Sequence, residues 1–214
     1  MVAKKSFKKV TDPQVPAKLY YIFYNQERWN NWLNALAEAD FSGDEDSDEM
    51  PEGYRILDEF SDDITLAVLK IIRLYQNDRI TLEEARTKSH GVEEIIMEEP
   101  PDSDIADIVR SMQDSMIVLF AAGQKYLEGA YPPKEEIKNL VKEGRSVFLK
   151  DPEKAFDMAS SIGAAVINGA SCCGKYITDA DDPTQFDEWL AEIERAADAM
   201  KSLKNFDEVV GDAQ

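Results

Sequence analysis

The segment from Ile105 to Leu127 constrains the fold more than any other. Ile105, Ile108, Val109, Met112, Met116, Leu119, Phe120, Gly123 and Leu127 recur at helical spacing along it. Its second half, MIVLFAAG, is apolar nearly all round. A helix without a polar face needs cover on several sides, so this one belongs at the centre of the molecule. The rest of the chain must supply amphipathic helices to cover it.

The sequence contains such helices. In FYNQERWNNWLN (23–34), Trp29, Trp32, Leu33 and Leu36 share one helical face, and Asn25 has the side chain of an N-cap. The two tryptophans are therefore expected in the core; the alternative is an exposed aromatic anchor for a partner. A second helix is expected from about 62 to 76, where Ile64, Ala67, Val68, Ile71 and Tyr75 align. TLEE (81–84) has capping-box form and opens a third, to about 98, which must tolerate Gly91. The central helix is fourth, broken by EGAYPPK (128–134), and a fifth runs from about 134 to 149. Asp151 followed by Pro152 starts a sixth, with small residues throughout and hence a close-packing face. Asp182, Pro183 and Gln185 suggest the start of a seventh, presenting Phe186, Trp189, Leu190, Ile193, Ala197 and Met200. No segment keeps strand periodicity except LYYIFY (19–24), read as an extended lead-in. The expected fold is all-α: about seven helices in one compact, bundle-like domain. The pair at 137–170, with KEGRSVFLKDPEKAFDMA in its middle, has the length of a tetratricopeptide unit but no second copy. The expected domain spans 23–205, between a basic N-terminal extension (1–22) and a short C-terminal tail (206–214).

Charge narrows the partners. The chain carries −19 overall, unevenly spread. Residues 1–18 hold five lysines against one aspartate, a local charge of +4, which leaves −23 on the remainder. An acidic body repels phosphate backbones, so nucleic acid is expected only through Lys4, Lys5, Lys8 and Lys9, if at all. The longest apolar run falls far short of the roughly 20 residues a membrane helix needs. Cys172 and Cys173, adjacent and alone, fit a reducing cytoplasm better than a disulfide framework.

The sequence carries few groups arranged for chemistry. His90 is the sole histidine, and position 87 is Thr87, so the Glu-x-x-His pairs of di-iron bundles are absent. Adjacent cysteines do not reproduce the spacing of a zinc site. Asp44, Asp46 and Asp48 match the first ligands of an EF-hand loop, but Glu49 stands where Gly is needed and Arg55 where the bidentate Glu belongs. Asp179 and Asp181 meet Pro183 and fail likewise. Neither phosphate-binding glycine motif nor nucleophile elbow occurs. Paired acids such as Asp62–Asp63 and Glu93–Glu94 are expected by chance among 43 acids, and Asp62–Asp63 is read as sitting at a helix start. No catalytic residue, metal site or cofactor is expected. The exception to this plainness is DFSGDEDSDEMPEG (40–53), a stretch of seven acids and no base, read as a loop. Asp44, Glu45, Asp46, Asp48, Glu49 and Glu52 are the candidate partner-binding residues.

Phe23, Tyr24, Glu27, Arg28, Trp29, Asn31 and Trp32 resemble the opening of an archaeal family catalogued as domain of unknown function 2150. DDITLAVLKII (62–72) is similar to its next block, and SMQDSMIVLFAAGQKYL (111–127) and the helix bearing Trp189 follow in a similar order. The resemblance spans about 23–205 and implies an archaeal, cytosolic origin; it implies no activity. The function expected on all these grounds is that of a non-enzymatic helical interaction protein, an adaptor or regulator of a larger complex with a basic protein partner. Two alternatives stay open: an enzyme using carboxylates or a metal, and a ribosome- or RNA-associated factor acting through the lysine-rich extension.

Overall fold

The computed structural model describes residues 23–43, 49–171 and 183–211, the side chains of 204–211 excepted. Seven α-helices and no strand occur among the described residues: α1 (Gln26–Glu38), α2 (Glu52–Gln76), α3 (Leu82–Ile96), α4 (Ala106–Glu128), α5 (Ile137–Val147), α6 (Pro152–Ile167) and α7 (Gln185–Gly211). One 3-10 turn, Lys134–Glu136, leads into α5. The all-α expectation holds.

Local chemistry sets several of the ends. Asn25 caps α1 by accepting from the Arg28 amide at 2.8 Å. Thr81 and Glu84 form the expected reciprocal box on α3. Asp151 accepts from the Lys154 amide at 3.0 Å and Pro152 opens α6. Gly129, at φ 73°, turns the chain off the end of α4 in the left-handed conformation that glycine adopts without strain.

Two starts differ from the sequence reading. α2 begins at Glu52, ten residues before the expected position, so Glu52 and Gly53 belong to a helix rather than to the acidic loop. The acids of 52–63 concealed an apolar face made of Tyr54, Leu57, Phe60 and Ile64. Phe60 is fully buried, with Trp29 and Trp32 each 5.2 Å away between ring centroids. Asp62 and Asp63 consequently lie in mid-helix, far from any N-terminal dipole. α7 begins at Gln185, two residues beyond the position that Asp182 and Pro183 suggested. Its box is Thr184 with Asp187: the hydroxyl of Thr184 donates to Asp187 Oδ2 at 2.7 Å, and the Asp187 amide points back at 3.4 Å. Asp182 lies outside the described residues.

α4 is central, as its all-round apolarity requires: it packs on α2, α3, α6 and α7. The core divides into two clusters along it. One joins α1, α2 and α3 to the Val109, Met116 and Phe120 side of α4. The other joins α5 and α6 to α7 through Phe186, Trp189, Leu190 and Ile193, with Val118 as the α4 contribution. α7 also reaches the first cluster, through Ala196 and Met200. α5 and α6 pack as a helical hairpin against this seam. Close approach is built in at Gly163, where an added Cβ would lie 2.6 Å from Ala122 Cβ on α4.

Candidate functional site

The sequence-predicted acidic residues divide. Asp44, Glu45, Asp46 and Asp48 lie outside the described residues, as do Lys4, Lys5, Lys8, Lys9, Cys172 and Cys173. Glu49 is exposed just before α2. Glu52, in its first turn, stands 3.8 Å from Arg55, with both side chains largely in solvent. The neighbours of these two acids carry more information. Met50 and Tyr54 are 66% and 50% exposed, large apolar groups left uncovered at the edge of a cleft. The end of the acidic stretch, at Met50, therefore borders a groove.

That cleft, about 580 Å³, lies where α2, α4 and α7 meet. Leu57 from α2 and Ile108 and Met112 from α4 give it apolar walls. α7 supplies Glu192 and Arg195; α2 supplies Asp58. Nη1 of Arg195 donates to Asp62 Oδ1 at 2.8 Å and forms an ion pair with Asp58 Oδ1 at 2.7 Å. Nε of Arg195 approaches Glu192 Oε2 at 3.4 Å, a charge contact rather than a hydrogen bond, and that oxygen is buried without a hydrogen-bond partner among the described residues. Three carboxylates thus share one guanidinium. Burial pushes the Glu192 carboxyl above its ordinary range; Arg195 opposes this, and Asp58, Asp62 and Glu188 add to it. Burial by itself would weaken the charge on Arg195, but hydrogen bonds to Asp62 and Asp58 and the charge of Glu192 outweigh it, so the guanidinium stays protonated. On the α4 wall, Ser115 donates to Glu188 at 3.1 Å and Arg110 to Asp107 at 2.8 Å.

Sequence reasoning missed this group because Asp62 and Arg195 are 133 positions apart. One signal was present. Glu192 stands one turn from Trp189 and one turn from Ala196, an ionisable residue on the flank of an apolar face.

The opening block of the chain has a structural role. Arg28 grips Asp63 through Nε (2.7 Å) and a close Nη2 contact, and Trp32 Nε1 donates to the same carboxylate at 2.8 Å. Trp29 is buried and Trp32 half-buried. The core expectation holds for the pair, and the paired acids Asp62 and Asp63 serve two different arginines.

Two other hollows occur among the described residues. One, about 480 Å³, lies between the C-terminal ends of α2 and α6 and the side of α7, with Arg73 and Lys201 on its walls. The other, about 330 Å³, lies between α2, α3 and α4 under Ser89 and His90. Successive residues on a helix do not face each other, so Ser89 and His90 cannot act as nucleophile and base. His90 is 69% exposed, 3.7 Å from Glu93 and 3.5 Å from Glu94, a solvent-facing helical cluster. Among the described residues no three His, Cys, Asp or Glu side chains converge as metal ligands, and no helix is long and apolar enough to cross a membrane.

No curated protein and no solved structure matches the chain. A family profile does, over residues 22–209, which includes the tryptophan block, the central helix and all three helices that build the cleft. The chain therefore belongs to the family described as an uncharacterised protein conserved in archaea, DUF2150.

Proposed function

We propose that this protein is a non-enzymatic interaction protein of the cytoplasm, an adaptor or regulator that docks on a basic protein surface through the acidic residues of 44–52 and through the α2–α4–α7 cleft. The observation that carries this reading is the sharing of one arginine by Asp58, Asp62 and Glu192, beside uncovered Met50 and Tyr54. Negative charge in excess of its counter-charge favours a cationic partner and speeds encounter with it. Uncovered apolar groups next to that charge give such a partner area to bury.

The test is affinity capture from the native host in low salt. Wild type is compared with a variant neutralised at Asp44, Glu45, Asp46 and Asp48. The wild-type protein is expected to hold a basic protein partner and to release it as salt rises, since the Debye length shrinks to about 3 Å at 1 M. Absence of any partner with both proteins would end the proposal. Recovery of RNA instead, lost on deleting residues 1–18, would transfer the function to the lysine-rich extension.

A further inference from the structure

We propose that the α2–α4–α7 cleft binds an arginine side chain presented by an apolar stretch of the partner protein; this rests on the interaction function proposed for the acidic face and gives it a specific site. Three carboxyl groups, those of Asp58, Asp62 and Glu192, face the single guanidinium of Arg195. Both aspartates meet Arg195 through Oδ1, and neither Oδ2 has a partner among the described residues. Asp58 lines the cleft, and Asp62, one helical turn on, lies outside its lining and is tied to it through Arg195. Both side chains are more than half exposed, so their second oxygens are open to a forked donor that reaches from the cleft along α2.

The walls choose among cations. A hard metal ion requires a converging shell of oxygens, which these carboxylates do not form. A lysine ammonium is compact and strongly hydrated, and Met50, Leu57, Ile108 and Met112 would strip that hydration without replacing it. A guanidinium is more weakly hydrated, forks onto carboxylates and stacks on aromatic faces, here that of Tyr54. About 580 Å³ leaves room for apolar residues flanking the arginine, which would cover Met50 and Tyr54. A phosphate-bearing partner is repelled by the same carboxylates.

The probes are nonapeptides with varied apolar flanks around a central arginine, each matched to otherwise identical lysine and citrulline peptides. Binding to the full-length protein, labelled with 13C at its methionine methyls, is followed by NMR. Arginine peptides are expected to shift the Met50 and Met112 methyl signals. Citrulline, which keeps the shape and loses the charge, should bind at least tenfold more weakly, with lysine between. Asp58→Asn and Asp62→Asn, both at exposed positions, should weaken the arginine peptides similarly while the circular dichroism spectrum stays unchanged. Equal binding of arginine and citrulline peptides, shifts confined to other methionines, or undiminished binding by a folded Asp58→Asn/Asp62→Asn protein overturns the assignment. The capture experiment separates the two levels. If the double variant still captures the wild-type partner, the cleft assignment falls and the interaction function stands; if wild type captures none, both fall.

Discussion

Single side chains carry opposed electrostatic duties in this molecule. Asp63 binds Arg28 and the Trp32 indole at once, and Trp32 stacks on Phe60 within 13° of parallel. Trp32→Ala removes the stack and one of the two donors to Asp63 Oδ2, leaving Arg28 Nε as the other. Because Trp32 is only half-buried, the loss should fall near the low end of the range for aromatic truncation, about 3 kcal/mol, measured by urea unfolding. Glu192 and Asp187 give the protein contrary pH dependences. The carboxyl of Glu192 is raised by burial, so its favourable contribution is complete below the ordinary carboxyl value and disappears as pH rises through the raised one. Asp187 behaves the other way. Burial raises it, but the Thr184 hydroxyl and the Arg145 guanidinium outweigh burial and hold it low. Its contribution is present above the ordinary value and is lost as pH falls through the depressed one. Glu192→Gln should therefore raise stability at neutral pH and flatten its decline across mildly acidic pH. Asp187→Asn should remove part of the loss at strongly acid pH. Urea midpoints from pH 3 to 8 measure both; a Glu192→Gln midpoint below wild type at pH 7 would contradict the burial account.

At the level of elements, two glycines within helices make opposite demands. Gly91 lies inside α3, and nothing stands within 4 Å of where a Cβ would go. Gly91→Ala should stabilise the protein by about 0.5–1 kcal/mol, the helix-propensity difference with no steric term. At Gly163 the same change meets Ala122 Cβ at 2.6 Å and Ile193 Cγ1 at 3.3 Å. Gly163→Ala should cost about 1–3 kcal/mol by forcing α4 and α6 apart, and Ala122→Gly in the same chain should recover much of it. Thermal unfolding of the variants beside wild type checks the contrast. Only the packing distinguishes the two sites. The helices themselves were legible wherever an apolar face ran unbroken by charge, as in α4, or wherever a cap followed the common pattern, as in Thr81–Glu84 and Asp151–Pro152. The sequence shows α2 only from about 62 because Asp58, Glu59, Asp62 and Asp63 crowd the turns around Phe60, and charge density reads as loop. The expected start of α7 falls too early because Pro183 imitates a first-turn proline while Thr184 forms the actual box. The cleft left one mark in the sequence, Glu192, since its other charged members come together only when α2 and α7 pack.

For the whole molecule, the acidic excess works against compactness. Charges of one sign confined to a folded volume repel, and added salt screens them. The unfolding temperature should accordingly rise by several degrees between low and moderate sodium chloride, before any specific ion effect; a fall over that range would mean that ion pairs such as Arg195 with Asp58 and Asp62 outweigh the repulsion. The two-sided position of α7 has a different implication, for the order in which the protein is made. Helices α1 to α4 have all left the ribosome well before α7 is complete, yet their cluster includes Ala196 and Met200 from that last helix. At about 5–20 residues per second, α7 begins to appear several seconds later. Through that interval the nascent chain holds a hydrophobic surface with its final strip missing, and a face left uncovered for seconds is where chaperone engagement during synthesis is expected.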